Sequence, residues 1–199
     1  MESQVYEYWY CVLDHANPKL GFTFAVGRVK PPVNWVKLNT DGSAQGNPGM
    51  AEGGGLIRDC HGNWISGFAR AIGLPLSIVA ELWAIRDGLT RLCFLSLEVV
   101  EVEVDFLVAI SLLSQTTHTN GELSFLIDDY RNLMKNIPQV RLKHYFREAN
   151  WCADALAKFG TNMKNDFAVF ESPPSIIVSL LHSLGFTQDC ICNIVVDTT

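Results

Sequence analysis

Side chains alternate between apolar and polar from residue 36 to residue 41, and a period of two predicts a β-strand. The chain then passes through Gly46-Asn47-Pro48-Gly49, a run of residues that favours tight turns. Asp41 therefore stands near the end of a predicted central strand, beside a glycine-rich loop that lets a ligand approach the backbone. An Asp in such a place also commonly caps a turn, so both interpretations stay open.

The rest of the chain alternates between strand and helix patterns. Strands are predicted over residues 36–43, 52–59, 64–72, 97–105 and 140–146. Apolar residues at steps of three and four predict helices over 78–95, 106–113, 122–136 and, after Asn150 as N-cap, to Gly160. This order predicts an α/β fold with a mixed five-stranded sheet, three antiparallel strands and then parallel ones, flanked by helices. Glu101 and Glu103 are predicted to lie on a solvated strand face.

Proline-rich stretches suggest the domain boundaries. Residues 1–33 end in Pro31-Pro32 and show no clear period, which predicts a poorly ordered leader. Residues 34–161 then form one α/β domain, a size that buries a sizeable core. Residues 162–199 contain Ser172-Pro173-Pro174 and a weak apolar helix, and they are predicted to be an appendage.

Composition narrows the function class. Of the 199 residues, 48% are hydrophobic and 18% charged, which is typical of a globular protein. The net charge of −6 argues against non-specific nucleic-acid binding, unless metal ions offset a convergent acidic site. Six scattered cysteines without zinc spacing, and no signal-peptide pattern, predict free thiols inside the cell, in the nucleus or cytoplasm. We also predict a monomer without a membrane span.

Four acidic residues stand at the ends of predicted elements: Asp41 and Asp105 end strands, whereas Glu81 and Asp154 begin helices. Each also has a simpler interpretation. Glu81 suits a helix dipole, Asp105 could be an N-cap, and Asp154 has an i,i+4 partner in Lys158. In open sheets, however, ligands gather where strands end and their connections diverge. We therefore expect the four carboxylates to converge.

Four ionised carboxylates share a small site only when cations offset their repulsion. Hard oxygen ligands with room for a phosphate select Mg²⁺, or Mn²⁺ as a substitute. Two such ions about 4 Å apart are the standard arrangement for cleaving a phosphodiester. The acidic residues thus indicate a two-metal hydrolase.

Five pieces of the chain resemble the ribonuclease H family. They are Asn39-Thr40-Asp41-Gly42-Ser43, Gly46-Asn47-Pro48-Gly49, Ala80-Glu81-Leu82, Asp105 and Asn150-Trp151-Cys152-Ala153-Asp154-Ala155-Leu156-Ala157. The resemblance runs from about Trp35 to Lys158. Within the family, the chain looks most similar to the plant-type ribonuclease H-like domain of non-LTR retrotransposon reverse transcriptases. The variant Arg147-Glu148-Ala149-Asn150 is typical of that branch.

The resemblance implies endonucleolytic cleavage of the RNA strand in an RNA/DNA hybrid, leaving a 3′-hydroxyl and a 5′-phosphate. It implies that Asp41 bridges two Mg²⁺ ions, with Glu81 and Asp105 on one and Asp154 on the other. The substrate-binding residues that it implies are Gly42, Ser43, Gly46, Asn47 and Asn150. Contacts of this kind to 2′-hydroxyls let a protein tell RNA from DNA.

The chain departs from the family pattern in two places. It has no Gly- and His-containing loop before Asp154, so the family's mobile His is replaced either by Arg147 or by His144, which lies in a predicted strand. It also has no basic substrate-binding extension between the helices at 106 and 136, where only Arg131 and Lys135 occur. We therefore expect weak, salt-sensitive binding of the hybrid.

Three functions follow from these observations. The chain is an active Mg²⁺-dependent ribonuclease H, a module of that fold that binds nucleic acid or protein without catalysis, or a related nuclease with another substrate. The four acidic positions favour the first, and the acidic net charge favours the second.

Overall fold

The chain is described by a computed structural model that covers residues 23–27, 29–46, 48–114, 123–161, 163, 165–183 and 191–195. Most of the predicted leader, and Asn47, lie outside these residues. The strands are β1 (Thr23–Gly27), β2 (Val36–Gly46), β3 (Gly49–Arg58), β4 (Trp64–Gly73), β5 (Val99–Val104), β6 (Gln139–His144), β7 (Phe167–Phe170) and β8 (Ile191–Val195). The helices are α1 (Ser77–Phe94), α2 (Leu107–Ser114), α3 (Ser124–Lys135), α4 (Trp151–Gly160) and α5 (Ser175–Ser183).

The main sheet is mixed, with the strand order β6-β5-β2-β3-β4-β7. Strands β2, β3, β4 and β7 pair antiparallel, whereas β2, β5 and β6 pair parallel. The predicted mixed α/β fold is confirmed, but the sheet has six strands rather than five. The sixth, β7, comes from the segment predicted to be an appendage, and four residues beside prolines are too short to reveal a period. Strands β1 and β8 form a separate antiparallel pair.

Helices cover both faces of this sheet. On one face α1 and α3 bury the larger core, which includes Leu38, Ile85 and Val102, all fully buried. On the other face α4 packs on β3 and β4, and α5 packs on α4 through the buried Ile177. Among the described residues, no helix is long and apolar enough to cross a membrane.

The prediction that Glu101 and Glu103 are solvated is wrong. Both carboxylates are buried, at 2% and 4% exposure, and so is Lys37 beside them. The parallel register explains why: Lys37 of β2 lies opposite Glu101 of β5, which lies opposite Arg141 of β6. Lys37 Nζ contacts Glu103 and lies 3.0 Å from Glu101 Oε1, and Arg141 Nη2 lies 2.5 Å from Glu101 Oε2. The alternating charged residues of β5 therefore belong to a row of buried ion pairs across β2, β5 and β6, and not to a solvent-exposed face of the sheet.

Candidate active site

Two carboxylates lie where parallel strands β2 and β5 part. The last residue of β2 that pairs with β5 is Thr40, opposite Val104. From Asp41 onward β2 pairs only with β3, while Asp105 follows directly after the end of β5. Asp41 and Asp105 therefore stand side by side just beyond the carboxyl end of the parallel pairing between β2 and β5, where sheets of this kind bind ligands.

Gly42 lets α1 reach this strand end. A Cβ at Gly42 would lie 2.3 Å from the carbonyl carbon of Ala80 and 2.4 Å from the backbone nitrogen of Glu81. Only glycine permits so close an approach of strand and helix. The Gly42 N–H also donates a hydrogen bond to the Glu81 carboxylate. Glu81 lies just beyond the first turn of α1, which weakens the interpretation of Glu81 as a residue that serves only the helix dipole.

The resulting cluster contains Asp41, Glu81 and Asp105. One carboxylate oxygen from each lies within 4.8 Å of the other two, a spacing that could hold a metal ion. Asp41 is only 1% exposed. In the described part of the chain, Asp41 Oδ2 and Glu81 Oε2 are buried and have no hydrogen-bond partner. Buried oxygens that lack donors suit a cation that prefers hard oxygen ligands.

The electrostatics of the cluster also favour a bound cation. Burial, and then the charges of Asp105 and Asp154, raise the pKa of Asp41 to about 7, although Arg147 opposes them. Burial, and then Asp105 and Asp41, raise the pKa of Glu81 well above its usual range. Burial likewise raises the pKa of Asp105. Since the ionised carboxylates are short of positive charge, divalent cations fit the residues that are present.

Asp154 lies near this cluster but outside the group of three. Its charge raises the pKa values of Asp41 and Asp105. Its Oδ2 accepts a hydrogen bond from Lys158 Nζ at 2.6 Å, so the predicted i,i+4 ion pair is present. Lys158 is largely exposed, and pairs of this kind are weak. Asp154 is thus able to exchange its lysine for another cation.

The predicted substitutes for a mobile His both lie beside the cluster. Arg147 is exposed, in a short 3₁₀ turn after β6, and its charge lowers the pKa values of Asp41, Glu81 and Asp105. His144 lies in β6, as predicted, but is the last residue of that strand, which was expected to continue to Phe146; its Nε2 lies 3.3 Å from the main-chain oxygen of Asp105. Arg147 is the more accessible of the two.

The predicted substrate-binding residues have differing environments. Gly46 has a φ of 103° in the exposed hairpin turn, a conformation that suits glycine. Ser43 is half-buried and donates its hydroxyl to Glu52 Oε1 at 3.1 Å. Asn150 occupies the N-cap position of α4 but makes no capping bond. Its buried side chain instead donates to the Thr40 carbonyl at 2.7 Å, joining α4 to β2.

Glu52 was not among the predicted site residues. It is 2% exposed on β3, directly opposite Ser43. The hairpin register could have revealed it, because a turn in which Gly46 faces Gly49 sets Ser43 against Glu52.

Because the clustered carboxylates repel one another, we expect the stability of the metal-free protein to depend on pH. The folded protein holds a proton on Asp41 up to about pH 7, whereas the unfolded chain releases it near 3.8. Stability in EDTA should therefore fall as the pH rises through this window. Thermal unfolding at about pH 5 and about pH 8 would show it, at about 2–4 °C for each kcal/mol.

A saturating divalent cation at the higher pH should restore the lost stability. Asp41→Asn should reduce both the fall in melting temperature with rising pH and its recovery on addition of the cation. A melting temperature in EDTA that rises with pH over this range would contradict the account.

Gly42→Ala should displace the start of α1. The new Cβ would meet the Ala80 backbone, which we expect to cost about 1–3 kcal/mol. Gly53→Ala is the matched control, because its Cβ would lie 3.3 Å from the Ala84 side chain of the same helix. Urea unfolding measures both variants. An equal loss in the two, or unchanged cation stabilisation in Gly42→Ala, would show that the close approach does not place Glu81.

A mixed sheet of this order, with carboxylates from β2, α1 and the end of β5, defines the ribonuclease H-like class of α/β proteins. A family model described as reverse transcriptase-like matches residues 39–160, and the chain belongs to this family.

Relatives support this assignment. The "Putative ribonuclease H protein At1g65750" of Arabidopsis thaliana is 39% identical over 165 residues, which is 82% of this chain but only 27% of the relative. Ribonuclease H1 of Halobacterium salinarum is 25% identical with a TM-score of 0.59, covering 63% of this chain and 96% of that one. LC11 ribonuclease H1, solved with an RNA/DNA hybrid, is 28% identical with a TM-score of 0.58, covering 64% and 96%.

Proposed function

We propose that this chain is a metal-dependent endonuclease that hydrolyses the RNA strand of RNA/DNA hybrids by a two-metal mechanism. The observation that carries the proposal is the convergence of Asp41, Glu81 and Asp105 within 4.8 Å on a ribonuclease H-like fold. The hybrid bound by a structural neighbour, LC11 ribonuclease H1, supports the choice of substrate.

Asp41, Glu81 and Asp105 would hold one Mg²⁺, with Mn²⁺ as a substitute, and Asp41 with Asp154 would hold a second. Bound there, the cations would lower the pKa of the attacking water and stabilise the leaving 3′ oxygen. Asp154 Oδ2 would become available to the second cation once Lys158 releases it, and the Lys158 ammonium would then be able to contact the incoming phosphate. Gly42 keeps Glu81 in place through its N–H while these charges change.

The labelled RNA strand of a hybrid is the first substrate to test, at low salt, with Mg²⁺, Mn²⁺ or EDTA. Cleavage of that strand alone, dependent on metal, is the expected result. Duplex RNA and duplex DNA of the same sequence serve as competing substrates. Preference for either would favour the related-nuclease hypothesis, and no cleavage of any substrate would overturn the proposal.

A non-catalytic binding module is the second candidate. The net charge of −6 and the Lys158 ammonium seated on Asp154 both favour it. Isothermal titration with Mn²⁺ separates the candidates when read beside the cleavage assay. A folded protein that binds Mn²⁺ and hybrid but cuts nothing is a module.

Arg147→Ala should slow product release more than bond cleavage. The guanidinium lies beside the three carboxylates, where it can draw away the phosphate that forms. We expect multiple-turnover rates to fall about tenfold, as for a charge-assisted hydrogen bond, with little change in a single turnover. His144→Ala is the comparison, because its ring lies against the Asp105 carbonyl. If His144→Ala alone separates the two rates, His144 is the residue that assists release.

A further inference from the structure

A buried carboxylate outside the metal-binding cluster, that of Glu52, lies on β3 beside the part of β2 that follows Asp41. Asp41 and Ser43 share one face of the strand, about 7 Å apart. Opposite them on β3 stand Gly54 and Glu52. Glu52 Oε1 accepts a hydrogen bond from Ser43 Oγ at 3.1 Å. This pair lies beside the metal-site residues but is separate from the cluster of Asp41, Glu81 and Asp105.

The Glu52 carboxylate is buried, and it accepts the hydrogen bond of Ser43. Its side chain is 2% exposed, and its Oε2 has no hydrogen-bond partner among the described residues. A carboxylate is costly to bury unless it has a donor, and the donor found here is the Ser43 hydroxyl. Ser43 itself is only half-buried, so part of this residue remains exposed near the hairpin turn.

The hydrogen bond to Glu52 determines whether the Ser43 hydroxyl can donate to a ligand or only accept from it. A serine hydroxyl has one hydrogen to donate and two lone pairs that accept. Because the hydrogen is directed to Glu52, only the acceptor lone pairs are left for a ligand. A ligand at this position must therefore bring a donor.

We propose that Glu52 is a positioning residue that holds the Ser43 hydroxyl as an acceptor for a ribose 2′-OH of the substrate. This inference rests on the proposed function and adds to it the chemical basis for preferring RNA to DNA at one nucleotide. A ribose 2′-OH donates and accepts, whereas deoxyribose has neither capacity at that carbon. A 2′-fluoro sugar keeps an electronegative atom but has no hydrogen to donate, so it separates donation from shape.

The experiment uses hybrids whose RNA strand carries one 2′-deoxy or one 2′-fluoro sugar, placed in turn at each nucleotide around the cut. For the wild type, both changes at one nucleotide should lower kcat/KM by up to about tenfold, the factor for one hydrogen bond. In Ser43→Ala and in Glu52→Met, which removes the oxygen that accepts from Ser43, that penalty should vanish, because the all-ribose hybrid loses the same factor. Glu98→Met, an exposed site before β5 with the same change of charge, should keep it.

Affinity for the same hybrids, measured by fluorescence anisotropy in EDTA, tests the contact without cleavage. A Kd penalty that Glu52→Met removes supports the inference even if the wild type cuts nothing and the nuclease proposal fails. Cleavage in which Glu52→Met keeps the full wild-type penalty overturns the inference and leaves the nuclease proposal standing. Ser43→Ala removes one half-buried oxygen and decides the point if Glu52→Met does not fold; a penalty that persists in Ser43→Ala also overturns the inference.

Discussion

Asp41→Asn is expected to lower the cleavage rate by about a thousandfold or more while the protein stays folded. Metal ions contribute several kcal/mol of charge stabilisation in such reactions, and each 1.36 kcal/mol corresponds to about tenfold in rate. In the proposed mechanism Asp41 would reach both cations, since it lies in the cluster with Glu81 and Asp105 and its pKa is raised by the charge of Asp154. An amide there would keep the shape but lose the charge that is proposed to hold the ions.

The stability of Asp41→Asn should move in the opposite direction. Because burial and like charges raise the pKa of Asp41 to about 7, the ionised residue destabilises the metal-free protein above that pH. In EDTA at about pH 8 the variant should melt higher than the wild type. Asp166→Asn, an exposed site before β7, carries the same change of charge and should alter neither rate nor melting. Full activity in Asp41→Asn would place the catalytic site elsewhere.

Most of the candidate site could be predicted because its residues lie at or near the ends of the predicted elements. Asp41 and Asp105 follow strand patterns, and the rule that ligands gather at the carboxyl ends of parallel strands brings them together. Glu81 follows from the helix period, but its reach to Asp41 depends on the missing Cβ of Gly42. Side-chain contacts such as Ser43 with Glu52 depend on strand register, which the strand period alone does not provide.

The fold shows the same division between local pattern and tertiary context. The long amphipathic helices α1 and α3 were predicted within a few residues, because each has an apolar stripe that is buried, that of α1 against the sheet and that of α3 against α1. The short strand β7 escaped prediction, since its place in the sheet depends on pairing with the distant β4. Solvation of Glu101 was predicted wrongly because alternation reveals which face a residue occupies, not what covers that face.

Lys37 is the central cation of the buried ion pairs that include Glu101 and Glu103. Lys37 is fully buried, contacts Glu103, lies 3.0 Å from Glu101 Oε1 and donates to the Val29 carbonyl at 2.6 Å. Although burial alone would raise the pKa of Glu101, hydrogen bonds from Lys143 and Lys37 lower it to about 2. Its contribution to stability is therefore present above its usual pKa of 4.5 and is lost as the pH falls towards 2.

Lys37→Met is expected to destabilise the protein by about 3–5 kcal/mol at neutral pH, because it leaves Glu101 and Glu103 buried without their shared cation. Lys143→Met is the matched control. Lys143 binds the same Glu101 at 2.7 Å but is 49% exposed, so water can replace it at a cost of about 1 kcal/mol or less. Urea unfolding of both variants measures the difference. Losses of similar size would mean that water reaches Glu101 and that these ion pairs contribute as a surface network does.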